Sequence, residues 1–106
     1  MANNYKNSKV DLTSTSITTL YTCPASTTAI MKSILVSDDS GSGDTITLTI
    51  TSGSDVFCIY KVKAVGANGT VELLTAPLVV QASEILKVTA ATANRLHVVA
   101  SYLEIT

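Results

Sequence analysis

Tryptophan is missing from this 106-residue chain and phenylalanine occurs once, so any core has to be assembled from aliphatic side chains packed at high density. Histidine also occurs once, as His97 inside an apolar segment, which leaves no partner set for a general-base or nucleophile relay. The two cysteines, Cys23 and Cys58, do not form a C-x-x-C pair, and with a single histidine a zinc site would need an unusual mixture of ligands. Basic residues number only seven against eight acidic ones, a net charge of -1, and they are scattered; a nucleic-acid binder needs Lys and Arg concentrated on one face. The longest apolar runs, such as 76–80, fall far short of the roughly 20 residues that cross a bilayer as a helix. Met1 to Val10 is polar where a secretory signal would be greasy, so a soluble chain made in a reducing cytoplasm is expected, with Cys23 and Cys58 as free, buried thiols. No cofactor, metal or enzymatic activity is expected.

What the chain has in abundance is β-branched side chains. Thr, Val and Ile together make up 35 residues, and these lose rotamer freedom in a helix while fitting a pleated strand. The clearest period-2 segment is Thr45 to Thr51, which sets Ile46, Leu48 and Ile50 on one face and threonines on the other. Ala29 to Ser37 is mostly apolar on both faces, as a central strand would be. Asp55 to Val65, Thr70 to Leu74, Leu78 to Gln81, Ile85 to Thr89 and Leu96 to Ile105 add further strands, and Leu12 to Thr22 supplies one or two ending before Pro24.

Turn chemistry punctuates these segments. The DDSGSG run from Asp38 to Gly43 reads as a hairpin joining its two flanking strands, and Gly53-Ser54 reads as another. Asn68-Gly69, the dipeptide that most readily supplies two positive φ values, predicts pairing of Asp55–Val65 with Thr70–Leu74. The expected fold is all-β: a two-sheet antiparallel β-sandwich of seven to eight strands over residues 11–106, of which the jelly roll is one form, preceded by a polar arm over 1–10 that is flexible or ordered against a neighbour.

Chemistry-bearing motifs are sparse. Asp38, Asp39, Ser40, Ser42 and Asp44 superficially resemble a calcium loop but lack its closing bidentate Glu, and Gly41-Ser42-Gly43 lacks the Lys-Ser/Thr of a phosphate cradle. Both read as a solvated turn. The aromatics Tyr5, Tyr21, Tyr60, Tyr102 and Phe57 mostly alternate into a core, which weakens a carbohydrate-binding reading. Surface for association remains, since a small apolar sandwich has several strand edges to manage.

The run Leu20-Tyr21-Thr22-Cys23-Pro24-Ala25, then Lys32-Ser33-Ile34-Leu35-Val36-Ser37 and the Ser/Gly loop, resembles small structural proteins of tailed-bacteriophage virions. Pro77-Leu78-Val79-Val80, Ile85-Leu86-Lys87-Val88, Ala93 to Val99 and Ser101 to Ile105 continue the resemblance in order and spacing, over residues 18 to 105. The chain departs from that pattern at Ser26 and in the Ala82-Ser83-Glu84 turn, where the resemblance leads one to expect glycine. The resemblance implies a virion β-sandwich, often trimeric, on the capsid surface or tail and assembled in the host cytoplasm. It implies a head decoration or cement protein whose partners are the major capsid protein or other virion proteins; a tail, neck or fibre-base component is the alternative, and a carbohydrate-binding module the third. Asn3, Asn4, Tyr5, Lys6 and Lys9 of the arm are the candidate partner-binding residues.

Overall fold

The computed structural model describes residues 2–106. Nine strands run in chain order as β1 (Asn3–Asp11), β2 (Thr18–Thr22), β3 (Thr28–Asp38), β4 (Asp44–Ser52), β5 (Asp55–Val65), β6 (Thr70–Glu72), β7 (Leu78–Val80), β8 (Ile85–Ala90) and β9 (Leu96–Ile105). Among the described residues there is no helix. One sheet has the order β1-β9-β3-β6, with β7 also paired to β3, and the other has the order β2-β8-β4-β5; all pairings are antiparallel.

If β6 and β7 are counted as one interrupted strand, the pairing is nested: first with last, second with next to last, third with the interrupted strand, and β4 with β5. Such nesting is a long hairpin wound around a common axis, which makes the sandwich a jelly roll. Inward alternation supplies the core: Ile34 and Val36 of β3 and Val98 of β9 face Ile46 and Leu48 of β4 and Val88 of β8, none of them accessible to solvent. Each such side chain contributes on the order of 1.5–3 kcal/mol by leaving water.

Four sequence expectations are corrected. Residues 3–11 are not a free arm but strand β1, bonded along β9 from Asn3↔Ile105 to Asp11↔His97; a ladder of backbone groups needs no apolar side chains, so polar composition did not reveal it. With β6 and β7 as one interrupted strand, the sandwich has the expected eight. Neither the DDSGSG turn nor Asn68-Gly69 closes a hairpin, because β3 and β4, and likewise β5 and β6, lie in opposite sheets. At the latter turn only Asn68 has positive φ (55°), where the mirror-image hairpin turn needs two such residues. Gly53-Ser54 does close one, with Ser52 opposite Asp55 and a φ of 62° at Gly53. Cys58, expected to be buried, is exposed, because β5 is an edge strand with register shifts on either side of Leu48's partner Tyr60.

Both departures from the phage pattern fall on left-handed backbone: Ser26 has φ 58° and Ser83 φ 68°. The two turns are laced together at one end of the sandwich, where the Cys23 N–H donates to Glu84 O and the Ser83 N–H donates to Cys23 O, each at 2.9 Å.

Candidate interaction surface

Strand β1 gathers every residue singled out for partner binding onto one exposed edge. Alternation turns Asn3, Tyr5 and Lys9 toward the outer face of the sheet, while Asn4 and Lys6 lie on the side that faces the second sheet. Tyr5 is 76% exposed and stands opposite Leu103; Lys9 stands opposite Val99.

Lys6 has a different task from its neighbours. Its Nζ lies 2.8 Å from Glu104 Oε1, and the Tyr21 hydroxyl donates to Glu104 Oε2 at 2.5 Å, so a nearly buried carboxylate is shared between β1 and β2 across the gap between the sheets. The Lys6 ammonium and the Tyr21 hydroxyl hold the Glu104 carboxyl below its ordinary value against the opposing effect of burial. Reciprocally, Glu104 raises Lys6. Burial first, and then the Glu104 bond, push the Tyr21 phenol up, and its ring packs on Tyr102 with centroids 4.3 Å apart. Ser8 Oγ donates to Leu20 O at 2.6 Å, a second link on the same side. Sequence reading had no signal for this cluster, whose members lie up to 98 positions apart (104 minus 6) and share no spacing.

Across the outer face of the five-stranded sheet the register aligns Tyr5, Leu103, Ile30 and Val79, one from each of β1, β9, β3 and β7. The result is an unbroken apolar row, and Val79 at its far end is 51% exposed. Leu35 and Val99, also opposite each other, add a second apolar pair on that face. Between the two lies a shallow groove of about 330 Å³ lined by Tyr5, Lys6, Asn7, Lys32, Ser101 and Tyr102.

The remaining polar groups organise backbone. Asp38 accepts from the N–H groups of Ser40 (3.0 Å), Gly43 (2.9 Å) and Asn68 (3.1 Å) and from the Ser40 hydroxyl (2.5 Å). The Ser40 hydroxyl and the three amides hold its carboxyl far below the usual range, although burial opposes them. A carboxylate so occupied fastens the β3–β4 loop to the β5–β6 turn and has little left for a cation. Glu72 performs a related task where the β6–β7 strand breaks, accepting from the Ser33 hydroxyl and from the N–H groups of Ile34 (2.7 Å) and Leu74 (3.2 Å). It thereby replaces missing ladder partners.

His97 is on the outer face, its Nε2 3.2 Å from Asp11 Oδ1 and its Nδ1 3.7 Å from Asp39 Oδ2, a surface arrangement of one ring between two carboxylates. Among the described residues no group of three or more His, Cys, Asp and Glu is placed to hold a metal ion. Cys23 is buried, its Sγ donating to Thr27 O at 3.3 Å, and burial raises its thiol above the ordinary value.

No family model and no curated protein matches the chain. Among solved structures the chain is similar to two crystal structures of a pentameric capsid protein isolated from metagenomic phage sequences, each at 21% identity and a TM-score of 0.49, with 93% of this chain covered. The chain spans 59% and 60% of the length of those two proteins.

Proposed function

We propose that the chain is a phage virion structural protein, a capsid decoration or cement protein that stabilises the head by bridging neighbouring major capsid proteins. The observation that carries this reading is the outward apolar row Tyr5–Leu103–Ile30–Val79, which spans a whole sheet face beside the β1 edge. The sequence resemblance to virion components supplies the setting. Asn3, Tyr5 and Lys9 would contact the capsid from the outer face, and Asn4 and Lys6 would lie at the rim, with Lys6 held by Glu104. An interface of roughly 1,200–2,000 Å² repeated over a lattice turns modest single contacts into a large sum. The chain would act as a homo-oligomer, for which the resemblance implies three copies.

Mass-spectrometric counting in purified particles tests the position: hundreds of copies mark a head decoration, a handful mark a tail, neck or fibre-base component, and none overturns the virion reading. Combining Tyr5→Asp with Val79→Asp should lower occupancy on particles while leaving the melting temperature in place, since both side chains are exposed. Unchanged occupancy removes this face from the interface.

A further inference from the structure

We propose that β5 is a self-association edge: two copies of this chain pair their β5 strands antiparallel about a twofold axis at Phe57, joining their four-stranded sheets into one continuous sheet. The inference concerns the protein in solution, and it stands or falls separately from any place on a particle.

The argument begins with the sheet edges. Every exposed edge is a template for another chain unless something blunts it. β1 is polar and carries Lys6 and Lys9; β2 has five residues, a register shift between Thr19 and Tyr21, and Pro24 just beyond; the β6–β7 edge is two three-residue pieces with Pro77 between. β5 is different, for it runs eleven residues and exposes Val56 (62%), Phe57 (58%) and the Cys58 thiol in succession.

Its two halves are unlike. From Ile59 to Val62 the strand is bulged twice against β4, Val62 takes a φ of 56° and turns its N–H to Thr47 Oγ1 at 3.1 Å, and Lys61 and Lys63 flank it. Bulges and lysines are devices that stop pairing. From Asp55 to Cys58 the register is regular. Because the two-residue Gly53-Ser54 turn makes Ser52↔Asp55 a hydrogen-bonded pair, Ile50↔Phe57 is the next, and Val56 and Cys58 direct their N–H and C=O groups away from β4. Antiparallel pairing about Phe57 sets Val56 of each copy opposite Cys58 of the other, which uses those free groups and ends where the bulges begin.

Charge selects the occupant. In that register Asp55 stands opposite Ile59 of the copy, with Lys61 the diagonal neighbour, so opposite charges meet at each end of the paired segment. Antiparallel pairing of β5 with a copy's β1 would instead bring Asp55 to Asp11 and the two β5 lysines to Lys6. The core adds a motive. The half-buried residues flanking it are Ile50, Ile59 and Tyr60 on the β4–β5 hairpin, Val71, Leu74 and Leu78 along the β6–β7 edge, and Val10 alone from the β1 side. Phe57, opposite Ile50, lies on the same face of its sheet as that residue, and a second Phe57 across the dyad would extend the cover.

Sedimentation velocity on the wild-type protein and on Val56→Lys provides the test, together with oxidation of two cysteine variants. At tens of micromolar the wild type should sediment at twice the mass of Val56→Lys, whose unchanged circular dichroism and cooperative melting would show that it folds. Phe57→Cys in a Cys58→Ser background should oxidise to a disulfide dimer at least tenfold faster than Val62→Cys in the same background, because directly opposed strand residues bring their Cα atoms within disulfide range. Equal masses for wild type and Val56→Lys, or equal oxidation rates at positions 57 and 62, overturn the proposal. So does a wild type whose β5 amides become protected from exchange only when an unrelated protein is added.

Discussion

Replacing Tyr21 by Phe removes one oxygen and tests whether the Glu104 cluster holds the two sheets together. The ring stays, so its contact with Tyr102 at 4.3 Å stays, and the change isolates the 2.5 Å bond to Glu104 Oε2. A hydrogen bond to a charged acceptor contributes roughly 1.5–3 kcal/mol, and Glu104, being 5% exposed, has little water to replace the lost donor. A loss of about 2 kcal/mol is therefore expected at neutral pH, and at roughly 4–8 °C per kcal/mol for a domain of this size it is a large fall in melting temperature. The pH dependence carries the sign. Glu104 is held below its ordinary carboxyl value by Lys6 and Tyr21, so its stabilisation is complete above that ordinary value, about 4.3, and is lost as pH falls through the lower folded-state value. Without the Tyr21 hydroxyl the folded-state value moves back up toward the ordinary one, so as pH falls the variant loses less stability than the wild type and its loss ends at a higher pH. Urea unfolding followed from neutral to acid pH should show a gap between the two proteins that is widest at neutrality and narrows once both carboxyls are protonated. A gap under about 0.5 kcal/mol at neutral pH, or one indifferent to pH, would refute the account. Lys6→Met should act in the same direction but more weakly, since that side chain is half exposed.

Three further outcomes are expected. Ser26→Gly and Ser83→Gly should each raise stability by about 0.5–1 kcal/mol, because a residue with a Cβ is strained in the left-handed region, and thermal unfolding will show whether they do. Asp38→Ala should release the amides of Ser40, Gly43 and Asn68, read as loss of hydrogen-exchange protection confined to those loops. A thiol reagent should modify Cys58 at once and Cys23 only on unfolding, and two equally fast thiols would contradict the burial of Cys23.

Strand identity was legible wherever side chains alternate. Ile46 and Leu48, predicted to face inward, are fully buried, and Ala29 to Ser37 proved to be central, flanked by β9 on one side and by β6 and β7 on the other. Pairing was not legible. A turn residue reports that the chain reverses, but Gly43 and Asn68 reverse it into the opposite sheet, and nothing in either dipeptide distinguishes that from a hairpin. The β1 edge escaped because backbone bonding leaves no trace in composition. Of the proposed interaction surface, the five β1 residues were candidates because their segment is polar, whereas the row of Tyr5, Leu103, Ile30 and Val79 required the register, which brings together positions from four segments.

The nesting of the strands has a kinetic consequence. Apart from the β4–β5 hairpin, each pairing joins segments distant in the chain, and topologies of that kind fold in roughly milliseconds to seconds because loop closure precedes any reward. β9, which lies between β1 and β3, is the last of these nine strands in chain order. Until it arrives, β1 has no partner and β3 has one bare flank, so this sheet closes only after the other eight strands have been made, and a crowded cell must keep its waiting strands from pairing with the wrong chain.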